Sequence, residues 1–89
     1  MEQHNNVLAD IRTERERTHG KFSEGAEVFA DLTAPIVQAF NDGQISKMQY
    51  YGLTMAMAEV TRILVGNSNE ADHWVDGANY FLLGGGINE

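Results

Sequence analysis

Asp72, Asp76 and Tyr80 recur at i, i+4 and i+8, on one face of a helix, with His73 beside them. Two carboxylates one turn apart can share a Mg²⁺ ion with carboxylates from another helix, because this hard cation takes oxygen ligands. In the structural alternative, Asp72 serves a helix N-terminus and Asp76 pairs with Arg62. Asp76 sits between Val75 and Ala78 and after Trp74, so its turn is expected to be at least half buried. A buried carboxylate needs a cation. Arg62 is the first candidate and Lys21 the second. Glu59 and Arg62 form another charged pair, on an otherwise apolar stripe with Met48, Gly52 and Met55. Glu24 and Glu27 fall in the first turns of a helix, where the macrodipole favours negative charge.

The elements that must position these groups read as helices throughout. Ser46 and Gln49 make a capping box ahead of the longest uninterrupted helical stretch, and Gly66 is expected to end it in the left-handed conformation. Leu53, Ala56, Met57, Val60, Ile63 and Leu64 give this central helix a broad apolar face for the core. The Met48–Arg62 stripe is left for outside contact. Upstream, Asn5 or Asn6 caps a short helix whose Arg/Glu run, Arg12 to Arg17, reads as a solvated face. Thr18-His19-Gly20 breaks it. Ser23 caps a second helix through Val28, Phe29, Leu32, Ile36, Val37 and Phe40, kinked at Pro35. Asn41-Asp42-Gly43 is a turn. Asn69 caps a last helix that points Trp74, Ala78, Phe81 and Leu82 to the core and stops at Gly84-Gly85-Gly86. The expected fold is all-α: one domain over residues 1–89, a four-helix antiparallel bundle with a kinked second helix and a long central third helix.

Composition narrows the function. Eighty-nine residues give a marginal core, and with no cysteine neither a disulfide nor a thiolate metal site can supplement it. Self-association as a homodimer, covering apolar area on helices two and three, is the expected remedy. No apolar run reaches about 18 residues and the start, MEQHNN, has no basic-then-apolar leader, so a cytoplasmic protein is expected. A net charge of −7 argues against binding a nucleic-acid backbone and permits a cation or a basic partner surface.

Three segments in order, Arg17-Thr18-His19-Gly20-Lys21-Phe22, Arg62-Ile63-Leu64-Val65-Gly66-Asn67 and Asp72-His73-Trp74-Val75-Asp76-Gly77-Ala78-Asn79-Tyr80, resemble the signature of the small DUF6378-like proteins of tailed bacteriophages and prophages. The resemblance runs from about Glu14 to Leu82. More distantly, such proteins are similar to the MazG-type all-α nucleoside-triphosphate pyrophosphohydrolases, which hold Mg²⁺ between an E-x-x-E and an E-x-x-D helix. The resemblance implies a nucleotide and Mg²⁺ site, to which Glu24-x-x-Glu27 and His73-x-x-Asp76 correspond in form; the candidates for such a site are Glu24, Glu27, Glu59, Asp72 and Asp76 as metal ligands and Lys21 or Arg62 for phosphate. His19, His73 and Tyr80 are further site candidates. His73 stands where the enzymes carry a carboxylate, which makes the site a degenerate one. Lys21 and Glu59 each reverse the charge expected at their positions, implying an exchanged salt bridge across a cleft. If the chain is active, a Mg²⁺-dependent pyrophosphohydrolase is implied. The alternative is an acidic, non-catalytic interaction protein that binds and inhibits a host defence protein.

Overall fold

The computed structural model of the chain describes residues 2–87, with side-chain surroundings from Val7 onward. Four helical segments follow one another: α1 (Glu2–His19), α2 (Phe22–Asn41), α3 (Lys47–Val65) and α4 (Ala71–Gly84). Only Gly20 and Lys21 separate α1 from α2, so these two form one bent rod and the chain has three rods. Gly20 makes the bend at φ +80°, and a Cβ there would strike the Val65 backbone. No strand occurs among the described residues. The chain is all-α as expected.

α3 is the axis of the fold, in contact with each of the other helices. Its start is the expected capping box: the Gln49 amide donates to Ser46 Oγ at 3.1 Å and the Ser46 amide to Gln49 Oε1 at 2.8 Å. Phe40, at the end of α2, stacks on Tyr50 at a centroid distance of 4.6 Å and sets the α2–α3 corner. Gly43 supports the intervening turn at φ +75°.

The caps elsewhere differ from expectation. α1 begins at Glu2, upstream of Asn5. α2 begins before Ser23, behind Lys21, and α4 begins behind Glu70 rather than Asn69; neither cap residue makes a side-chain cap bond. Asn67 takes the Asn69 amide on its side chain instead, at 3.0 Å. Pro35 lies inside an unbroken helix. Gly66 ends α3 at φ −111°, outside the left-handed region. It is needed for room, because a Cβ would collide with the Thr18 and His19 backbone.

The packing departs from a four-helix bundle. α2 lies along one side of α3 and α4 along the opposite side, and α2 and α4 do not pack on each other. The α3–α4 contact runs through small residues, with Gly52 against Gly84 and Glu59 against Gly77, so the two helices are antiparallel. Gly52, Ala56 and Glu59 are buried on this line, and on α4 so are His73, Gly77 and Gly84. Gly52 and Glu59, from the stripe expected to face outward, are therefore packed inside, while Met55 and Arg62 are half-buried and Met48 is exposed. Of the expected core face, Ala56 alone is buried; Leu53, Met57, Val60 and Ile63 are half-buried and Leu64 is exposed. Trp74, Ala78, Phe81 and Leu82 are exposed rather than in the core, because His73, Gly77 and Gly84 occupy the inner face of α4.

Candidate functional site

Where the α1–α2 bend meets the end of α3 and the start of α4, polar groups converge out of water. The Thr18 carbonyl oxygen, left without a helical partner at the end of α1, accepts from the Asn67 amide at 3.1 Å and from His73 Nε2 at 2.8 Å. A carbonyl only accepts, so Nε2 carries a hydrogen and Nδ1 is turned toward α3. Glu59 Oε1 lies 3.4 Å from that Nδ1, an ion-pair distance without hydrogen-bond geometry, and Oε1 has no hydrogen-bond partner among the described residues. Both side chains are only 5% exposed. The other oxygen, Oε2, accepts from Arg62 Nη1 at 2.9 Å. His19 tilts over His73 at a centroid distance of 5.1 Å. The node ties three elements that are far apart in sequence.

Beside it opens a cleft of about 620 Å³ between α1, α2 and α3. Half-buried Phe29 and Ala58 line its inner wall, with the exposed Phe22 and Ala26 at its rim. Arg12, Arg15, Lys21 and Arg62 stand around it with His19 and Glu16. These are four of the chain's six Lys and Arg residues, gathered in a protein of net charge −7. Among the described residues Arg12, Arg15 and Lys21 make no salt bridge, and Arg62 spends one nitrogen on Glu59. Phe22 is 93% exposed at the cleft. The arrangement is one that holds an anion carrying a flat or apolar group.

Burial first, and then the neighbouring Arg62, His73 and Arg15, push His19 below its ordinary range, against a smaller upward pull from Glu59. The unfolded chain therefore takes up a proton first as pH falls through the usual histidine value of about 6.5. Stability contributed by neutral His19 is present above that pH and is lost on acidification below it. Urea midpoints measured from pH 7.5 to 5 should fall less steeply for His19→Gln than for the wild type.

The expected site residues are distributed unevenly. Lys21, Arg62 and His19 meet in the cleft, and Glu59 and His73 meet in the buried node. Glu24 and Glu27 are exposed on α2, Asp72 and Asp76 on α4. Tyr80 is half-buried in a separate groove with Leu53 and Phe81. Asp76, expected to be half buried against Arg62 or Lys21, forms a salt bridge with neither; Arg62 is held by Glu59 from its own helix. The expected Lys21–Glu59 exchange is likewise replaced by Glu59 with Arg62 and His73. Among the described residues no three His, Asp or Glu side chains gather into a group able to hold a metal ion. The carboxylates thus do not fit the implied Mg²⁺ centre. Arg12, Arg15, Phe22 and Phe29 were not expected in a site. The available signal was the spacing of Arg12, Arg15, Glu16 and His19, which shares one face of α1.

The chain matches no protein-family model, no curated protein and no solved structure. No helix among the described residues is long and apolar enough to cross a membrane.

Proposed function

We propose that the cleft between α1, α2 and α3 binds a phosphate-bearing ligand of the nucleotide class, and that the protein acts as a binding module. The observation that carries this is the concentration of four cationic side chains around a partly apolar cleft in an otherwise acidic chain. Lys21 and Arg62, the candidates expected to take phosphate, line this cleft. Arg12 and Arg15 add charge from α1, and Phe22 and Phe29 offer faces for a base. No hydrolytic step is included, since the carboxylates such a step would use are dispersed over α2, α3 and α4.

Calorimetric titration with ATP, dTTP and inorganic pyrophosphate, each with and without Mg²⁺, tests the proposal. Saturable binding is expected, weakened about tenfold or more by Arg15→Ala or Lys21→Ala, since a hydrogen bond to a charged group contributes about 1.5–3 kcal/mol. Absence of heat up to millimolar concentrations, or unchanged affinity in the double variant, overturns it. A second reading, docking on a host defence protein, draws on the exposure of Phe22 and becomes the preferred one if nucleotides do not bind.

A further inference from the structure

We infer that a second copy of this chain covers one flank of the α3–α4 pair, the flank carrying Leu53, Met57, Val60 and Leu64 of α3 with Trp74 and Phe81 of α4. This is independent of the nucleotide cleft.

The flank follows from helix geometry. α3 meets α4 through Gly52 against Gly84 and Tyr80, and through Glu59 against Gly77 and His73; Ala56 and Ile63 fall on the same line of α3 by helical spacing. Each next residue lies about 100° further round its helix. Because both helices are right-handed and they run antiparallel, the residues that follow the contact positions project to the same flank. On α3 these are Leu53, Met57, Val60 and Leu64. On α4 they are Trp74, Ala78, Phe81 and Gly85. None is charged. Leu53 and Phe81 do line one groove of about 240 Å³ with Gly85, as this geometry requires. The residues preceding the contact positions make the opposite flank, and there Arg62, Asp72 and Asp76 appear.

An acidic chain of net charge −7 repels its own copies, so a close contact between two of them needs a surface free of carboxylates. This flank is such a surface. The area fits as well. A folded monomer of 9.9 kDa should expose roughly 5,200 Å², whereas this chain exposes 6522 Å². The excess of roughly 1,300 Å² is shared with the exposed α1 and the Gly20 bend, and it leaves room for the roughly 800 Å² that each partner buries in a stable interface of standard size. The radius of gyration agrees, at 15.5 Å against roughly 12 Å for a compact chain of this length. Among the described residues no large side chain is fully buried. Trp74 is the natural anchor. It is 59% exposed, yet its indole nitrogen donates to the Ser68 carbonyl at 2.8 Å, which fixes the ring before a partner arrives.

Sedimentation velocity from 1 to 100 μM, followed in parallel by the emission of Trp74, the sole tryptophan, tests the inference. The wild type should be a dimer at tens of micromolar, and its emission should shift to the red as dilution separates the copies. Leu64→Glu, at a residue exposed in the single chain, should raise the dissociation constant at least a hundredfold with unchanged helical circular dichroism. Tyr51→Glu, on the opposite flank, should leave the dimer intact. A wild-type monomer at 100 μM overturns the inference, as does a Leu64→Glu variant that still dimerises like the wild type. Should Leu64→Glu not fold, the wild-type dilution series decides alone: dissociation without a change in Trp74 emission puts the interface elsewhere.

Discussion

Gly52→Val should abolish the cooperative unfolding transition, and Gly52→Ala should lower stability by about 2–3 kcal/mol. Intrinsic preference argues the other way, since alanine in a helix interior is better than glycine by about 1 kcal/mol. The contact reverses the sign. A Cβ on Gly52 would run into Gly84 Cα, and a Cβ on Gly84 would come within 2.9 Å of Gly52 Cα. Neither obstacle is the end of a flexible side chain; both are backbone, so the two helices would have to separate. Separation would also loosen Glu59 and His73, which depend on the same close approach. Gly77 makes the comparison sharp. It too is buried in the α3–α4 contact, but a Cβ there would meet Glu59 Cβ at an ordinary 3.5 Å. Gly77→Ala is therefore expected to be neutral or to gain up to about 1 kcal/mol. Urea denaturation of the three variants, read by far-ultraviolet circular dichroism, checks both signs. Equal effects at Gly52 and Gly77 would refute the close contact.

These glycines also explain which parts of the fold were legible in the sequence. The Ser46–Gln49 box, the Gly43 turn and the break at Gly20 are local devices, set by a few neighbouring residues, and each stands where the sequence puts it. The faces of α3 were not legible. Apolar periodicity finds the stripe most in need of burial, but it does not say whether this chain or another one covers it. Here the helix partner inside the chain was chosen by smallness, through Gly52 and Ala56 facing Gly77 and Gly84. The apolar stripe one position round was left partly open. Asp76 failed for a related reason. Its sequence neighbour Val75 points about 100° away on the helix and says nothing about its surroundings. Of the residues expected in a site, Lys21, Arg62 and His19 line one cleft, but the bend at Gly20 also brings in Arg12, Arg15 and Phe22, and bend angle leaves no mark on residue spacing.

His73→Leu is expected to cost about 1–3 kcal/mol, the range for leaving buried polar groups without a partner. The substitution leaves Glu59 Oε1 in a dry site facing an apolar side chain and deprives the Thr18 carbonyl of one of its two donors. Glu59→Leu should also destabilise, because His73 Nδ1 then faces a methyl group. Its effect should be the smaller, since Arg62, whose side chain is 36% exposed, can turn to water once released. The double variant Glu59→Leu/His73→Leu removes both polar groups at once and adds apolar volume to the α3–α4 contact. Replacing both partners of a buried pair with apolar groups is far less costly than removing one. The double variant should accordingly lie at least about 1.5 kcal/mol above the sum of the two single effects. The measurement is a double-mutant cycle by urea denaturation at pH 7. Additivity within about 0.5 kcal/mol would mean that the 3.4 Å approach between Nδ1 and Oε1 carries no energy. A coupled cycle would establish that the buried carboxylate of α3 and the imidazole of α4 act as one unit, holding the α1–α2 bend against the helix pair through the Thr18 carbonyl.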